Sequence, residues 1–193
     1  MFNRIFIVSV CFMLQACTVT LVQPYDEKLL DGTEAYYKQV SQEIEKARIA
    51  SPKTRNLADG QSPSSSSGHI SHFKNMYSKF KIDANALIIR AVVNSYQVDS
   101  VAGTIHKKIE DFISSSFPSN CEGSNAMIEG QVTLTVQNYL DLKCLVVHWE
   151  TQHIDAPNQI LKSSTWESRQ MSFTNMVILL QRVESFKKDV KVN

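Results

Sequence analysis

The chain has 193 residues, with 20 Lys+Arg against 19 Asp+Glu, a formal net charge of +1, 43% hydrophobic residues and 20% charged residues. That length holds one domain, or one domain and a tail, and it buries enough surface to need no disulfide or metal staple. The composition excludes collagen, a polytopic membrane protein and a fully disordered chain. The balanced charge removes the electrostatic case for a general nucleic-acid binder, which needs a basic surplus on one face.

Residues 1–17 read MFNRIFIVSVCFMLQAC. Arg4 supplies one positive charge, an apolar run follows from Ile5 to Leu14, and the small Ala16 precedes Cys17. This is the layout of a secretory signal, and the apolar run is too short to span a bilayer, which takes about 20 residues. Leu14-Gln15-Ala16-Cys17 resembles the lipobox of bacterial lipoproteins, with Gln15 standing where a small residue is usual. The resemblance implies cleavage between Ala16 and Cys17 and lipidation of Cys17 by a diacylglyceryl thioether and an N-acyl chain. Several acyl chains on one residue hold a protein stably to a bilayer, where one chain holds it marginally. Thr18, where an Asp would signal inner-membrane retention, resembles the outer-membrane pattern of enterobacterial-type lipoproteins. The expected organisation is a signal peptide over 1–16, a lipidated tether over 17–24 and a helical domain over 25–193.

Pro24 ends the tether, and the stretch Tyr25 to Ala50 carries Leu29, Thr33, Tyr36, Tyr37, Val40, Ile44 and Ala47 at steps of three and four, the mark of an amphipathic helix. Ser51 to His69, SPKTRNLADGQSPSSSSGH, is too polar and too rich in Ser, Pro and Gly to bury a core. It reads as a long flexible loop over 50–69, from which Gln61 to Gly68 could be removed at little cost, since loop length is cheap. A second stripe runs through Phe73, Met76, Tyr77, Phe80, Ala84, Leu87, Ile88, Ala91 and Val92. Asp99 or Ser100 can cap a third helix bearing Val101, Ile105, Ile109, Phe112 and Ile113, stopped by Pro118. Ser124 can cap a fourth, running to about His153 and carrying Ile128, Val132, Val136, Tyr139, Leu140, Val146 and Trp149. The alternating QVTLTVQ of Gln131 to Gln137 leaves a strand open there, but no partner strand is visible elsewhere, which favours helix. After Pro157, Ser164 with Glu167 resembles a capping box for a last helix bearing Phe173, Met176, Val177, Leu180 and Val183. The expected fold is all-α: an antiparallel bundle of about five helices with one long Ser-rich loop. The segment FKNMYSKFKIDANALIIRA, with the helix that follows YDEK, is similar to small helical lipoproteins of proteobacteria of unassigned function. That similarity implies a bundle and supplies no activity.

Cys121 and Cys144 are the cysteines left once Cys11 and Cys17 are set aside, in a compartment that permits disulfides. If the fourth helix runs unbroken from Ser124, Cys144 stands about 30 Å along its axis, beyond the ~7 Å between Cα atoms that a disulfide allows. Cys144 then reads as a small buried residue, and Cys121 as free or paired with another chain. An intrachain bridge is the alternative and requires a break near Gly130 or a bend after it. His69 and His72 are three apart but lack a nearby acidic or sulfur ligand, so a solvated pair is the better reading. His148 and His153 are five apart, which puts them about 140° round a helix rather than on the shared face that a zinc protease needs. No phosphate loop and no Gly-x-Ser-x-Gly elbow occurs. No catalytic residue, metal ligand or cofactor is therefore expected. The sequence points to a non-enzymatic lipoprotein at the periplasmic face of the outer membrane, anchored through Cys17, with a structural or interaction role beside an envelope partner. The alternative is a helical module that binds a small molecule or lipid between its helices, the Tyr36-Tyr37 pair and the Phe73/Tyr77/Phe80 stripe being the candidate lining. A hydrolase acting on envelope polymers ranks third.

Overall fold

The computed structural model describes residues 25–96, 121 and 133–189. The signal-like segment, Ala16 and Cys17, the tether and the expected helix of residues 99–117 lie outside them. The described residues are all-helical, with four long helices and no strand: α1, Glu27–Ala50; α2, Lys74–Tyr96; α3, Leu134–Ile154; and α4, Ser163–Asp189.

Each helix forms where the apolar stripe and a cap agree. Asp26 caps α1, its carboxylate accepting from Lys28 N at 3.1 Å and Leu29 N at 3.3 Å, and so satisfies amides that a helix start leaves without partners. The stripe then buries Leu29, Thr33, Tyr36, Val40, Ile44 and Ala47. In α2 the predicted stripe is buried from Phe73 to Val92, with Met76 half-buried. Thr133 caps α3, its hydroxyl 3.4 Å from Val136 N. The helix thus begins at Leu134 and not at Ser124. An apolar stripe fixes the face of a helix but not its first residue, and the hydroxyl of Thr133 sets the start here.

That later start removes the obstacle to the disulfide. Cys121 and Cys144 are bonded, with their Cα atoms 5.5 Å apart. The 30 Å separation held only for a rod beginning at Ser124. With α3 beginning at Leu134, Cys121 reaches the third turn of the helix. Cys144 is accordingly a half-buried bridge residue rather than a buried free thiol.

Side-chain pairs fix the topology. Tyr36 donates to the Phe80 carbonyl at 3.1 Å, and Gln39 to Asp83 at 2.6 Å. Lys81 meets Glu150 at 2.6 Å. Gln170 donates to Ser41 at 2.9 Å, and Lys187 to Thr135 at 2.6 Å. The numbers run in opposite senses between α1 and α2 (Asp26 with Arg90, Tyr36 with Phe80), α2 and α3 (Tyr77 with His153, Lys81 with Glu150), α1 and α4 (Tyr37 with Thr174, Ser41 with Gln170) and α3 and α4 (Thr135 with Lys187, Trp149 with Arg169). The helices therefore go up, down, up, down, the arrangement of an antiparallel four-helix bundle. The most extensive packing is α2 on α3 and α1 on α4. Phe173 joins the two halves at mid-height, edge-on to Tyr36 and Trp149 with centroids 5.7 and 6.0 Å away.

The Ser-rich stretch is not the loose connection expected. Ser163 N donates to the Pro52 carbonyl and Leu161 N to the Gly68 carbonyl, both at 3.0 Å, and Arg55 Nε donates to the Ile160 carbonyl at 2.9 Å. His69 and Ile160 form an antiparallel bridge. Both ends of the 51–69 stretch are therefore laced to the α3–α4 connection, while Ala58 to Gln61 and the serines around Pro63–Ser65 stay at the surface. The serine side chains satisfy neighbouring backbone, as Ser65 does at the Ser62 carbonyl, which composition alone does not reveal. The start of α4 also differs. Ser163 is its first residue, which places Ser164 inside the helix, and Glu167 lies 3.6 Å from Arg48 of α1 instead of closing a capping box. Among the described residues no helix is long and apolar enough to cross a membrane.

Candidate functional site

The densest concentration of polar chemistry lies where the end of α1, the start of α2, the end of α3 and the start of α4 meet. Its centre is His153, which is fully buried. The Gly68 carbonyl, 2.9 Å from His153 Nε2, can only accept, so Nε2 carries the proton. Nδ1 is then an acceptor for the Tyr77 hydroxyl at 2.9 Å. The Tyr77 oxygen in turn accepts from Arg169 Nη1 at 2.6 Å, while Arg169 Nη2 donates to the Trp149 carbonyl at 2.5 Å. The result is a directed chain, Arg169 to Tyr77 to His153 to Gly68, that links α4, α2, α3 and the Ser-rich stretch.

Aromatic rings enclose this chain. The Arg169 guanidinium carbon sits 4.9 Å from the Trp166 centroid and 5.5 Å from that of Trp149, within the range of cation–π attraction. Phe73 lies 5.3 Å from the His153 ring and 5.1 Å from the Trp166 ring. Trp166 is itself held by a 2.8 Å hydrogen bond to Ser51 at the end of α1. Arg169 Nε faces these rings with no hydrogen-bond partner among the described residues.

The electrostatics follow from burial. Desolvation, with the Arg169 charge adding to it and the Gly68 carbonyl opposing, lowers the His153 pKa from 6.5 to about 4, so the ring is neutral at pH 7. Desolvation pushes the Tyr77 hydroxyl up to about 12 against the pull of Arg169. It also lowers the Arg169 pKa, with Tyr77 opposing. Both imidazole nitrogens are committed to protein groups and the ring has no solvent contact, so no lone pair is free to take a proton from a substrate. The arrangement joins helices and connection. It is geometry suited to holding a bundle end in one shape.

Gly68 is required for that geometry. A Cβ there would come 2.5 Å from the Leu161 carbonyl oxygen and 2.6 Å from the Pro52 ring. The Gly68 carbonyl is thus pressed against the α3–α4 connection, where it accepts from both His153 and Leu161.

A second network occupies the opposite end of the bundle. Thr33 Oγ1 donates to the Leu29 carbonyl at 2.7 Å, so the 2.7 Å contact with Tyr139 has Tyr139 donating, a link from α1 to α3. Lys187 donates to Glu184 and Thr135, both at 2.6 Å. Burial raises the Glu184 pKa, aided by the like charge of Asp26 and opposed by Lys187. Asp26 itself is clamped by Arg90 at 2.6 and 2.9 Å.

Of the residues singled out in the sequence, His153, Tyr77 and Phe73 belong to the first of these networks, and the others fall elsewhere. His69 Nδ1 accepts from Ser71 N at 3.2 Å, and His72 Nε2 lies 3.3 Å from the Ser64 carbonyl. Among the described residues no group of three or more His, Cys, Asp or Glu side chains comes together as a metal site. His148 is exposed and pairs with Gln152 at 2.9 Å, on another face from His153. Tyr36, Tyr77 and Phe80 are buried in the core, while Phe73, also buried, borders an open depression on one side. The open depression between α1, the Ser-rich stretch and α2 has a volume of about 440 Å³ and is lined by Glu43, Lys46, Ser65, His72 and Met76 among others. Sequence reasoning missed His153, Arg169 and Glu184 as core members. The available signal was phase: Arg169 and Glu184 stand four residues before and eleven after Phe173, on its side of the helix.

Comparison with family models, with curated proteins and with solved structures found no match to this chain.

Proposed function

We propose that this protein is a lipid-anchored component of a bacterial cell envelope whose helical bundle has a structural or protein-interaction role and no catalytic one. The observation that carries the reading is Leu14-Gln15-Ala16-Cys17 directly after a ten-residue apolar run that begins beside Arg4. The Cys121–Cys144 disulfide supports it, since such bonds persist in oxidising compartments such as the periplasm. The network around His153 supports the non-catalytic part, because both imidazole nitrogens and the Tyr77 hydroxyl are taken up by protein groups. Thr18 after the lipidated cysteine favours the periplasmic face of the outer membrane.

The test is metabolic labelling with a palmitate analogue followed by membrane fractionation. The protein labels and sediments with outer membranes, and Cys17→Ser abolishes labelling and releases the bundle to the soluble periplasmic fraction. Unchanged labelling and fractionation of that variant overturns the anchor.

A further inference from the structure

The outer face of α4 departs from that of an ordinary solvated helix. Met171, Ile178, Leu179 and Phe186 are exposed, Met171 and Phe186 to 68% and Leu179 to 59%. At 100° per residue they and the exposed Arg182 fall within about 100° of one another, opposite the buried Arg169, Phe173, Leu180 and Glu184. The stripe from Met171 to Phe186 is about 22 Å long at 1.5 Å per residue. Exposed Glu167 stands one turn before Met171 and Asp189 follows Lys188, while between these two the helix has one carboxylate, Glu184, buried against Lys187. The exposed charges of this stretch, Arg182 and Lys188, are both positive. A stripe that carries exposed cations and no exposed carboxylate between Met171 and Lys188 suits a helix that lies in the interface of an anionic bilayer.

The position of the chain's entry agrees. Lys188 Nζ stands 5.9 Å over the Tyr25 ring, so the start of the bundle and the end of α4 are side by side. Seven residues, 18–24, separate Tyr25 from Cys17, and the eight steps between the two reach at most about 29 Å. A lipid on Cys17 therefore keeps the C-terminal half of α4 within a short distance of the headgroups.

We infer that α4 docks its Met171–Phe186 face on an anionic phospholipid surface, so that the bundle lies along the membrane instead of hanging from its tether. This rests on the lipid-anchor reading and adds the surface that reading lacks.

The experiment uses the full chain, isolated from membranes and reconstituted in phosphatidylethanolamine–phosphatidylglycerol vesicles doped with a photoactivatable phospholipid, with lipidation at Cys17 scored separately by mass spectrometry. The expected result is lipid adducts on peptides within 171–188. Ile178→Glu with Phe186→Glu lowers them on the order of tenfold while Cys17 stays lipidated. Ile82→Glu, at an exposed α2 position, leaves them unchanged. Phe186→Ser alone gives a partial loss and serves if the double variant misfolds by circular dichroism. Adducts confined to the Cys17 peptide, or α4 cross-links only to a second copy of the chain, overturn the docking and leave the anchor standing. Adducts on α4 with an unlipidated Cys17 overturn the anchor and leave the docking standing.

Discussion

Neutral, buried His153 gives the fold a specific pH response. Its pKa falls from 6.5 to about 4 on folding. Between those values the unfolded chain takes up a proton that the native chain refuses, so stability is full above pH 6.5 and declines as the pH falls towards 4. Linkage over that interval gives a loss of at most about 2.5 kcal/mol between pH 7 and pH 4.5, about half of it by pH 5.5. Carboxylates contribute as well, but Asp26, whose pKa Arg90 and the helix amides hold low despite burial, loses its contribution only at still lower pH. The informative quantity is therefore a difference between proteins. His153→Gln keeps a donor for the Gly68 carbonyl and an acceptor for Tyr77 but cannot titrate. Urea unfolding at pH 7.0, 5.5 and 4.5 measures both proteins, with the midpoint and slope fitted at each pH. The expectation is that the variant is less stable than the parent at pH 7 and that the gap narrows by about 2 kcal/mol at pH 4.5. Parallel decline of the two proteins refutes the account, since it means that His153 either titrates normally in the native state or is not enclosed there.

Three further outcomes follow from the same geometry. Gly68→Ala forces its Cβ against the Leu161 carbonyl and the Pro52 ring and costs roughly 2 kcal/mol or more in urea unfolding, whereas deletion of Ser64 to Ser66 alone, at the surface of the same stretch, costs less. Arg169→Met removes the charged donor to the Tyr77 hydroxyl and the Trp149 carbonyl and lowers stability by about 3 kcal/mol at neutral pH. Non-reducing digestion and mass spectrometry yield one peptide pair joined through Cys121 and Cys144, and replacing both by serine costs about 3 kcal/mol through the loop of 23 residues they close.

The helices of this bundle were legible because burial leaves a period. Leu29 to Ala47 and Phe73 to Val92 announce their buried faces, and tertiary packing agrees with both. What was not legible depends on contacts between distant residues. Gly68 and Leu161, or Ser51 and Trp166, carry no mutual signal in a single sequence, so a serine-rich stretch reads as loose when two of its ends are laced down. Arg169 and His153 do not read as core residues in the sequence, because charge and polarity on a core face look like interruptions of a stripe until their partners are known. The bridge from Cys121 to Cys144 stands only as the alternative in the sequence for a related reason. Its geometry depends on the first residue of α3, and helix ends are set by a single cap such as Thr133, not by the long apolar pattern that follows.

The two polar networks also constrain how the helices can slide. Arg169–Tyr77 spans one diagonal of the bundle, α4 to α2, near one end, and Tyr139–Thr33 spans the other diagonal, α3 to α1, near the opposite end. The layers between them are apolar and would tolerate repacking, as cores of similar volume do. A shift of any helix by one turn, about 5.4 Å, would keep most of that apolar contact yet strand a guanidinium or a hydroxyl among aliphatic side chains. Shifted packings that hydrophobic burial alone would leave nearly equal in energy are thereby penalised at both ends at once. A single alignment of four rather uniform rods results, and sequence drift in the middle layers can proceed without blurring it.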